Sequence, residues 1–363
     1  MTMFRSDVVG SMLRPEYLKE ARKCYEAGEL TDISFKQIED RAVDEAVAQQ
    51  ERAGLDVVSD GEMRRYAFWG HLTDAVEGFD KYGGWAIPFR NDEGEQIVQN
   101  RPVVVSRLKQ KRHLCTEEFS YLRACSHRPG KTTLISAQQA AAYYDGEKSK
   151  EAYPSIDAYL ADLVDILREE IRELIRLGCT YIQIDSPQYT ALLDPDMREG
   201  YRKRGNDPDR LIDLSIEMDN AVVGAGSGAN VTFGLHLCRG NNQSKFYARG
   251  DYGPITKVFR NTKFNRFLLE FDDDRSGGFE PLTQVPEDRT VVLGLVSSKK
   301  SALESREELK SRIKAASAFI SLERLALSPQ CGFASTIEGN LLTIDDQEAK
   351  LRLVAETAQE VWG

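Results

Sequence analysis

A chain of 363 residues, 41% of them hydrophobic, has enough material for a substantial buried core. Its net charge of −10 excludes a protein built mainly to hold nucleic acid or an anionic membrane surface, because both partners need a basic face. No run of about 18 apolar residues occurs, so no spanning helix is expected. The opening MTMFRSDVVGSMLRP lacks the charged start, apolar stretch and small-residue cleavage site of a secretory signal. A cytoplasmic location follows as an expectation, with the six cysteines as thiols rather than a disulfide framework.

In chain order, short β-branched apolar runs fall at 7–11 (DVVGS), 56–60 (DVVSD), 132–137 (TTLISA) and 180–185 (TYIQID). Four more follow at 231–238 (VTFGLHLC), 267–271 (FLLEF), 290–297 (TVVLGLVS) and 324–330 (RLALSPQ). Amphipathic stretches separate them. SFKQIEDRAVDEAVAQQERAG stops at Gly54. SIDAYLADLVDILREEIRELIRLG has Ser155 as N-cap, an apolar stripe from Ile156 to Leu174, and Gly178 as its stop. REELKSRIKAASAFI precedes the eighth run, and DDQEAKLRLVAETAQEVW closes the chain. Eight strand–helix units predict a single-domain (β/α)₈ TIM barrel over residues 1–363. A doubly wound open sheet is the alternative, but no G-x-G-x-x-G follows the first strand.

Residues 63–130 break the rhythm between strands two and three. They read as an insertion holding a hairpin and one or two short helices over one barrel end. The basic run RLKQKRH within it is either a solvated strand edge or an anion-binding lid.

Barrel chemistry collects at the C-terminal strand ends. Those ends carry Ser11, Asp60 and Glu62, Asp185, His236 with Cys238, Glu270, and Cys331. Alternation along a strand places His236 and Cys238 on one face. With Glu270 and Cys331 converging on the same mouth, the donor set suits Zn²⁺. The competing reading makes Cys238 and Cys331 core thiols and His236 a satisfied histidine. His-Leu-Cys also occurs at 113–115, where Cys125 and His127 follow. However, Thr116-Glu117-Glu118 looks like a helix start. A helix turns about 1000° over ten residues and separates those thiols by more than about 10 Å, so no metal is expected there.

HLCRGN, LLEFDDDRSGGFEPL, VVLGLVSSK and LSPQCGFAST resemble the catalytic barrel of cobalamin-independent methionine synthases. VVGSMLRP and GLDVVSDGEMRR match the same family's early strands, so the resemblance spans essentially the whole chain. It is nearest to the short, single-barrel members. Epoxyalkane–coenzyme M transferases and uroporphyrinogen decarboxylase are more distant relatives on that fold. The resemblance implies a zinc-dependent thiol S-methyltransferase with His236, Cys238, Glu270 and Cys331 as metal ligands. It also implies that Ser11, Glu62 and Asp185 hold the amino-acid part of homocysteine, with Glu62 and Asp185 as the catalytic carboxylates. A carboxylate pair suits an ammonium group, and a strand-end hydroxyl suits a carboxylate.

Several positions depart from the family pattern. Ser186 stands where a Glu is usual, LISAQQAAAYY lacks the tryptophan that meets the folate ring, and GLVSSKKS lacks a proton-donating histidine. The expected partners are therefore a small thiol and a methyl donor other than methylfolate, either a methylcorrinoid protein or a small methylated compound. Tyr143, Tyr144 and Trp69 are candidates for the donor pocket or for plain packing. Three rival readings stand beside this one: transfer to coenzyme M, a tetrapyrrole-type decarboxylase, and a non-catalytic zinc-binding protein. The oligomeric state, a homodimer included, is left open.

Overall fold

The computed structural model describes residues 3–203 and 207–363. Four strands come first and lie outside the main sheet. They are β1 (Val76–Asp80), β2 (Ala86–Arg90), β3 (Gln96–Asn100) and β4 (Val103–Gln110). β1 pairs antiparallel with β4, and β2 pairs antiparallel with β3. The main sheet is parallel and runs in sequence order through β5 (Thr132–Ile135), β6 (Tyr181–Asp185), β7 (Thr232–Leu237), β8 (Arg266–Glu270), β9 (Thr290–Val296) and β10 (Leu325–Pro329). Its strands are almost wholly buried, as expected for a parallel sheet covered by helices.

Two of the eight expected strands do not form as such. Among residues 7–11 no bridge forms, and Ser6 just ahead of them makes a single parallel bridge with Leu327 of β10; in 56–60 only Val58 bridges, with Gly130 just ahead of β5. The cause is local. Buried side chains take the backbone groups that a ladder would use. Lys131 donates to the Val8 carbonyl, Gln183 Nε2 to the Val9 carbonyl (2.7 Å), and Ser59 Oγ to the Gly10 carbonyl (2.7 Å). The Ser59 N–H is taken by Gln50 Oε1 at 2.9 Å. Every buried backbone group still needs a partner, so the demand is met without a ladder. A backbone bond from the Asp56 N–H to the Ser6 carbonyl (3.3 Å) joins the two segments.

The segment 5–9 is locked to the sheet by a buried charge cluster. Asp7 lies 2.8 Å from the Lys131 ammonium and 3.2 Å from the Arg266 guanidinium, and it accepts from the Tyr181 hydroxyl at 2.9 Å. Burial opposes ionising Asp7, but Lys131 and Arg266 hold its carboxyl below the usual range.

The helices follow the sequence pattern closely. The helix Ile156–Arg176 is capped by Ser155, which accepts from the Ala158 N–H. Its stripe Tyr159, Leu160, Leu163, Leu167, Ile171 and Leu174 is buried, and Gly178 takes a left-handed φ of 90° just past its end. The insertion 63–130 is more elaborate than one hairpin. It carries two short helices, Gly70–Ala75 and Thr116–Cys125, and both antiparallel pairs. The basic run lies on β4 and just beyond it, where Arg107 is exposed and pairs with Asp162 at 3.2 Å, the solvated-edge reading. No helix among the described residues is long and apolar enough to cross a membrane.

Candidate active site

The parallel strands end on one side of the sheet, and residues at or just past three of those ends, Asp185, His236 with Cys238, and Cys331, line a single pocket. Register sets the first contacts. Asp185 ends β6 opposite His236 on β7, so a carboxylate and an imidazole sit side by side. Cys238 follows β7 immediately, and Cys331 lies two residues beyond β10. Ligand atoms of His236, Cys238 and Cys331 all lie within 4.8 Å of one another, and all three residues are buried. The Cys331 thiol is 3.7 Å from His236 Nε2.

Electrostatics ties the three together. The hydrogen bonds from Cys238 and then from His236 push the Cys331 thiol well below its usual range. The same bond with Cys331 pushes the Cys238 thiol well above. Burial disfavours a charged His236, but Cys331 outweighs it and raises the imidazole. One thiolate is therefore stabilised by two neighbouring protons, an arrangement in which a soft divalent cation can stand in for the protons. His236 Nδ1 is buried with no hydrogen-bond partner. A buried imidazole and two thiols within one small sphere fit the donor preferences of zinc.

Cys331 is held in place by a close approach. A Cβ on Gly332 would lie 2.0 Å from Ser11 Oγ, so only glycine lets the loop after β10 pass over Ser11. The Phe333 N–H then donates to the Ser11 carbonyl at 2.8 Å. Asn241 Nδ2 donates to the Gly332 carbonyl at 2.7 Å.

Glu62 enters from a strained turn. Its φ is 54°, a left-handed value that costs a non-glycine residue about 1 kcal/mol or more. Arg14 fixes the turn by donating to the Glu62 carbonyl at 2.7 Å and the Arg65 carbonyl at 3.1 Å. The carboxylate accepts from Thr133 Oγ1 at 2.7 Å through Oε1, while the buried Oε2 has no partner. Asp185 is the second acid. Burial pushes its pKa up to about 7, the neighbouring Glu62 adds to the rise, and His236 opposes it.

Ser11, Glu62, Asp185, His236, Cys238 and Cys331 thus line one pocket. Glu270 is the exception, because it lies outside the compact group of three. Its Oε2 accepts from the Arg239 backbone N–H at 2.5 Å, and its Oε1 lies 3.3 Å from Lys299 and 3.5 Å from Arg275. Burial opposes its ionisation, yet Lys299, Arg239 and Arg275 hold it below the carboxylate range. Asp60 also has an unpartnered buried oxygen, but it does not line the pocket.

The first His-Leu-Cys copy does something else. The Leu114 and Cys115 N–H groups both donate to Glu170 at 2.8 Å, and His113 Nδ1 lies 3.0 Å from the same carboxylate. Cys115 precedes the helix Thr116–Cys125, as its sequence implied, and is no part of a metal cluster among the described residues.

Two pocket-lining residues, Asn241 and Arg101, and Lys299 beside Glu270 were not picked out from sequence. Lys299 sits where the sequence offered only a missing histidine, and Asn241 closes the HLCRGN stretch. Arg101 lies in the insertion, in QNRPVVV, with no local signal. Ser186 is bound into a buried hydroxyl network, accepting from Ser136 at 2.9 Å and donating to Gln138 at 3.1 Å. Trp69 lines the pocket, whereas Tyr143 and Tyr144 do not.

A parallel α/β sheet thus gathers a buried His-Cys-Cys group, able to hold a metal, beside two carboxylates at its strand ends. Residues 4–359 match the model for the catalytic domain of cobalamin-independent synthases, and the chain belongs to the cobalamin-independent methionine synthase family. It is 37% identical to the uncharacterised protein YxjH of Bacillus subtilis over 99% of this chain and 95% of that one. It is 28% identical to the methionine synthase of Pyrococcus abyssi over 90% of this chain and 85% of that one. Among solved structures it is similar to a putative vitamin-B12-independent methionine synthase from Listeria monocytogenes. That likeness has a TM-score of 0.76 at 24% identity and covers 100% of this chain and 99% of the other, a likeness of fold. The family resemblance read from the motifs is therefore borne out.

Proposed function

We propose that this protein is a zinc-dependent methyltransferase that methylates the thiol of homocysteine to give methionine, on a closed (β/α)₈ barrel. The observation that carries the reading is the buried His236–Cys238–Cys331 group, which shares one pocket with Glu62 and Asp185. The backbone bonds linking β10, residues 5–7, Asp56 and Val58 in turn support closure of the barrel.

His236, Cys238 and Cys331 would hold the zinc, with Glu270 as the fourth ligand the family implies. Bound there, the metal supplies a means of keeping a substrate thiol deprotonated near neutral pH. The protein's own residues do the rest. Glu62 and Asp185 face the ammonium of the acceptor, and Ser11 offers a hydroxyl to its carboxylate. Phe68 and Trp69 wall the pocket and keep water from the reacting thiol. Fixing the thiol against a donor methyl replaces a bimolecular encounter with an oriented one. Lys299, three residues past β9, and the Ser136–Ser186–Gln138 network stand where the motif resemblance implies other groups for folate, which supports a donor other than methylfolate.

The test is a donor screen on zinc-loaded protein with homocysteine, offering methylcobalamin, methylated corrinoid protein, S-methylmethionine and methyltetrahydrofolate, and measuring methionine. One equivalent of zinc and methionine formation from a donor other than methyltetrahydrofolate are expected. Methyltetrahydrofolate as the only competent donor would overturn the donor reading. Cys331→Ser should lose the zinc and the transfer while its circular dichroism stays that of the parent; full zinc retention in that variant would remove Cys331 from the site.

A further inference from the structure

Arg101 is 1% exposed, yet its Nε and Nη1 atoms have no hydrogen-bond partner, and no carboxylate pairs with it among the described residues. It lines the same pocket as the His-Cys-Cys group. Its surroundings are aromatic: the guanidinium lies 5.5 Å from the centre of the Trp69 ring, with the Tyr143 hydroxyl as a polar neighbour. A guanidinium buried without an anion is costly, by several kcal/mol in general, so it is retained where a ligand brings the missing charge.

The backbone that presents Arg101 is fixed. The Arg101 N–H donates to the Trp85 carbonyl at 3.0 Å, and the Gly84 N–H donates to the Arg101 carbonyl at 2.9 Å. A Cβ on Gly84 would lie 2.5 Å from both the Arg101 and Pro102 carbonyl oxygens, so the approach demands glycine. Arg101 therefore reaches the pocket on a braced element, as a binding group must.

The pocket's unmet polar atoms sort by sign. Glu62 Oε2 is a buried acceptor without a donor, and Arg101 supplies buried donors without an acceptor. The two thiols and the imidazole lie in the same pocket. A ligand that answers all three features carries a thiol, an ammonium and a carboxylate. We infer that Arg101, contributed by the insertion, grips the α-carboxylate of the acceptor and makes this pocket selective for a zwitterionic amino-acid thiol. The inference rests on the thiol-transfer reading above and adds a residue that the strand-end motifs do not contain. It also gives the insertion a purpose, since the insertion supplies the anion-binding group and the strand ends supply the cation-binding ones.

The test compares two thiols that differ only in the carboxylate, L-homocysteine and 3-aminopropane-1-thiol, by titration calorimetry on zinc-loaded protein. The parent should prefer homocysteine by about 10- to 100-fold, the range for a charged hydrogen-bond pair. Arg101→Met should bring the ratio of the two affinities close to one, and Arg101→Lys should restore part of it. Because the ratio is taken within one sample, a partly unfolded preparation does not change it. A ratio unchanged in R101M overturns the assignment while leaving thiol binding intact. Failure of both thiols to bind the parent overturns the thiol-transfer reading and this assignment with it. 2-Mercaptoethanesulfonate, which offers an anion and no ammonium, should bind more weakly than homocysteine; tighter binding overturns selectivity for a zwitterion.

Discussion

Glu62 shows how much one residue's placement can depend on its neighbours. Its backbone is in a left-handed conformation, Arg14 holds its carbonyl, and Thr133 takes one carboxylate oxygen. That leaves one buried oxygen for a ligand. Replacing Glu62 with Gln keeps the shape and removes the charge. We expect the KM for homocysteine to rise about tenfold or more, because a charge-assisted bond to the ammonium becomes a neutral one. The thermal midpoint should stay close to that of the parent. An unchanged KM, measured with saturating donor, would take Glu62 out of acceptor binding. At this scale the sequence was informative where residues sit at strand ends. Ser11, Glu62, Asp185, His236, Cys238 and Cys331 were all picked out, and all line one pocket. Arg101 was not, because its path to the pocket depends on how the insertion folds back, and no local periodicity encodes that. Glu270 was picked out as a ligand but is drawn to Lys299 and Arg275, whose position beside it only the fold reveals.

Elements with strong periodicity were legible almost to the residue. The helix Ile156–Arg176 carries its cap, its stripe and its stop in plain sequence order. The runs at 7–11 and 56–60 look like strands because their apolar content is that of strands, but long-range side chains claim their backbone groups. Competition of that kind cannot be read from a window of ten residues. A second element-scale feature concerns the helix Pro208–Val223. Its Asp219 accepts from the Tyr189 hydroxyl at 2.8 Å, and burial pushes its pKa up to about 7. A carboxyl raised in the folded state contributes stability that is fully present below its unfolded pKa and lost as pH rises through the folded one. Asp219→Asn cannot ionise and keeps an oxygen for Tyr189. Its thermal midpoint should therefore gain on the parent as pH rises from about 4 to about 8, and the gap should level off above about 7. A gap that stays constant across that range would contradict the assignment.

At the scale of the whole molecule, the N-terminal segment and the sheet are joined through charge as well as apolar packing. Asp7 pairs with both Lys131 and Arg266, and all three side chains are almost wholly buried. Asp7→Asn would leave two buried cations facing an amide. Breaking a buried pair in this way costs about 3–5 kcal/mol. Denaturant unfolding should show a loss of that order, and a loss below about 1 kcal/mol would mean that the cluster does not hold the segment. The same segment carries Ser11 into the pocket that Asp185, His236 and Cys331 line.

Under the proposed function Cys238, Cys331 and His236 would hold a zinc ion with a position left for the sulfur of the acceptor thiol. Zinc-edge X-ray absorption on the loaded protein, before and after adding homocysteine, measures this without any methyl donor. The claim requires the number of sulfur neighbours at about 2.3 Å to rise from two to three. A count that stays at two with homocysteine bound would contradict it.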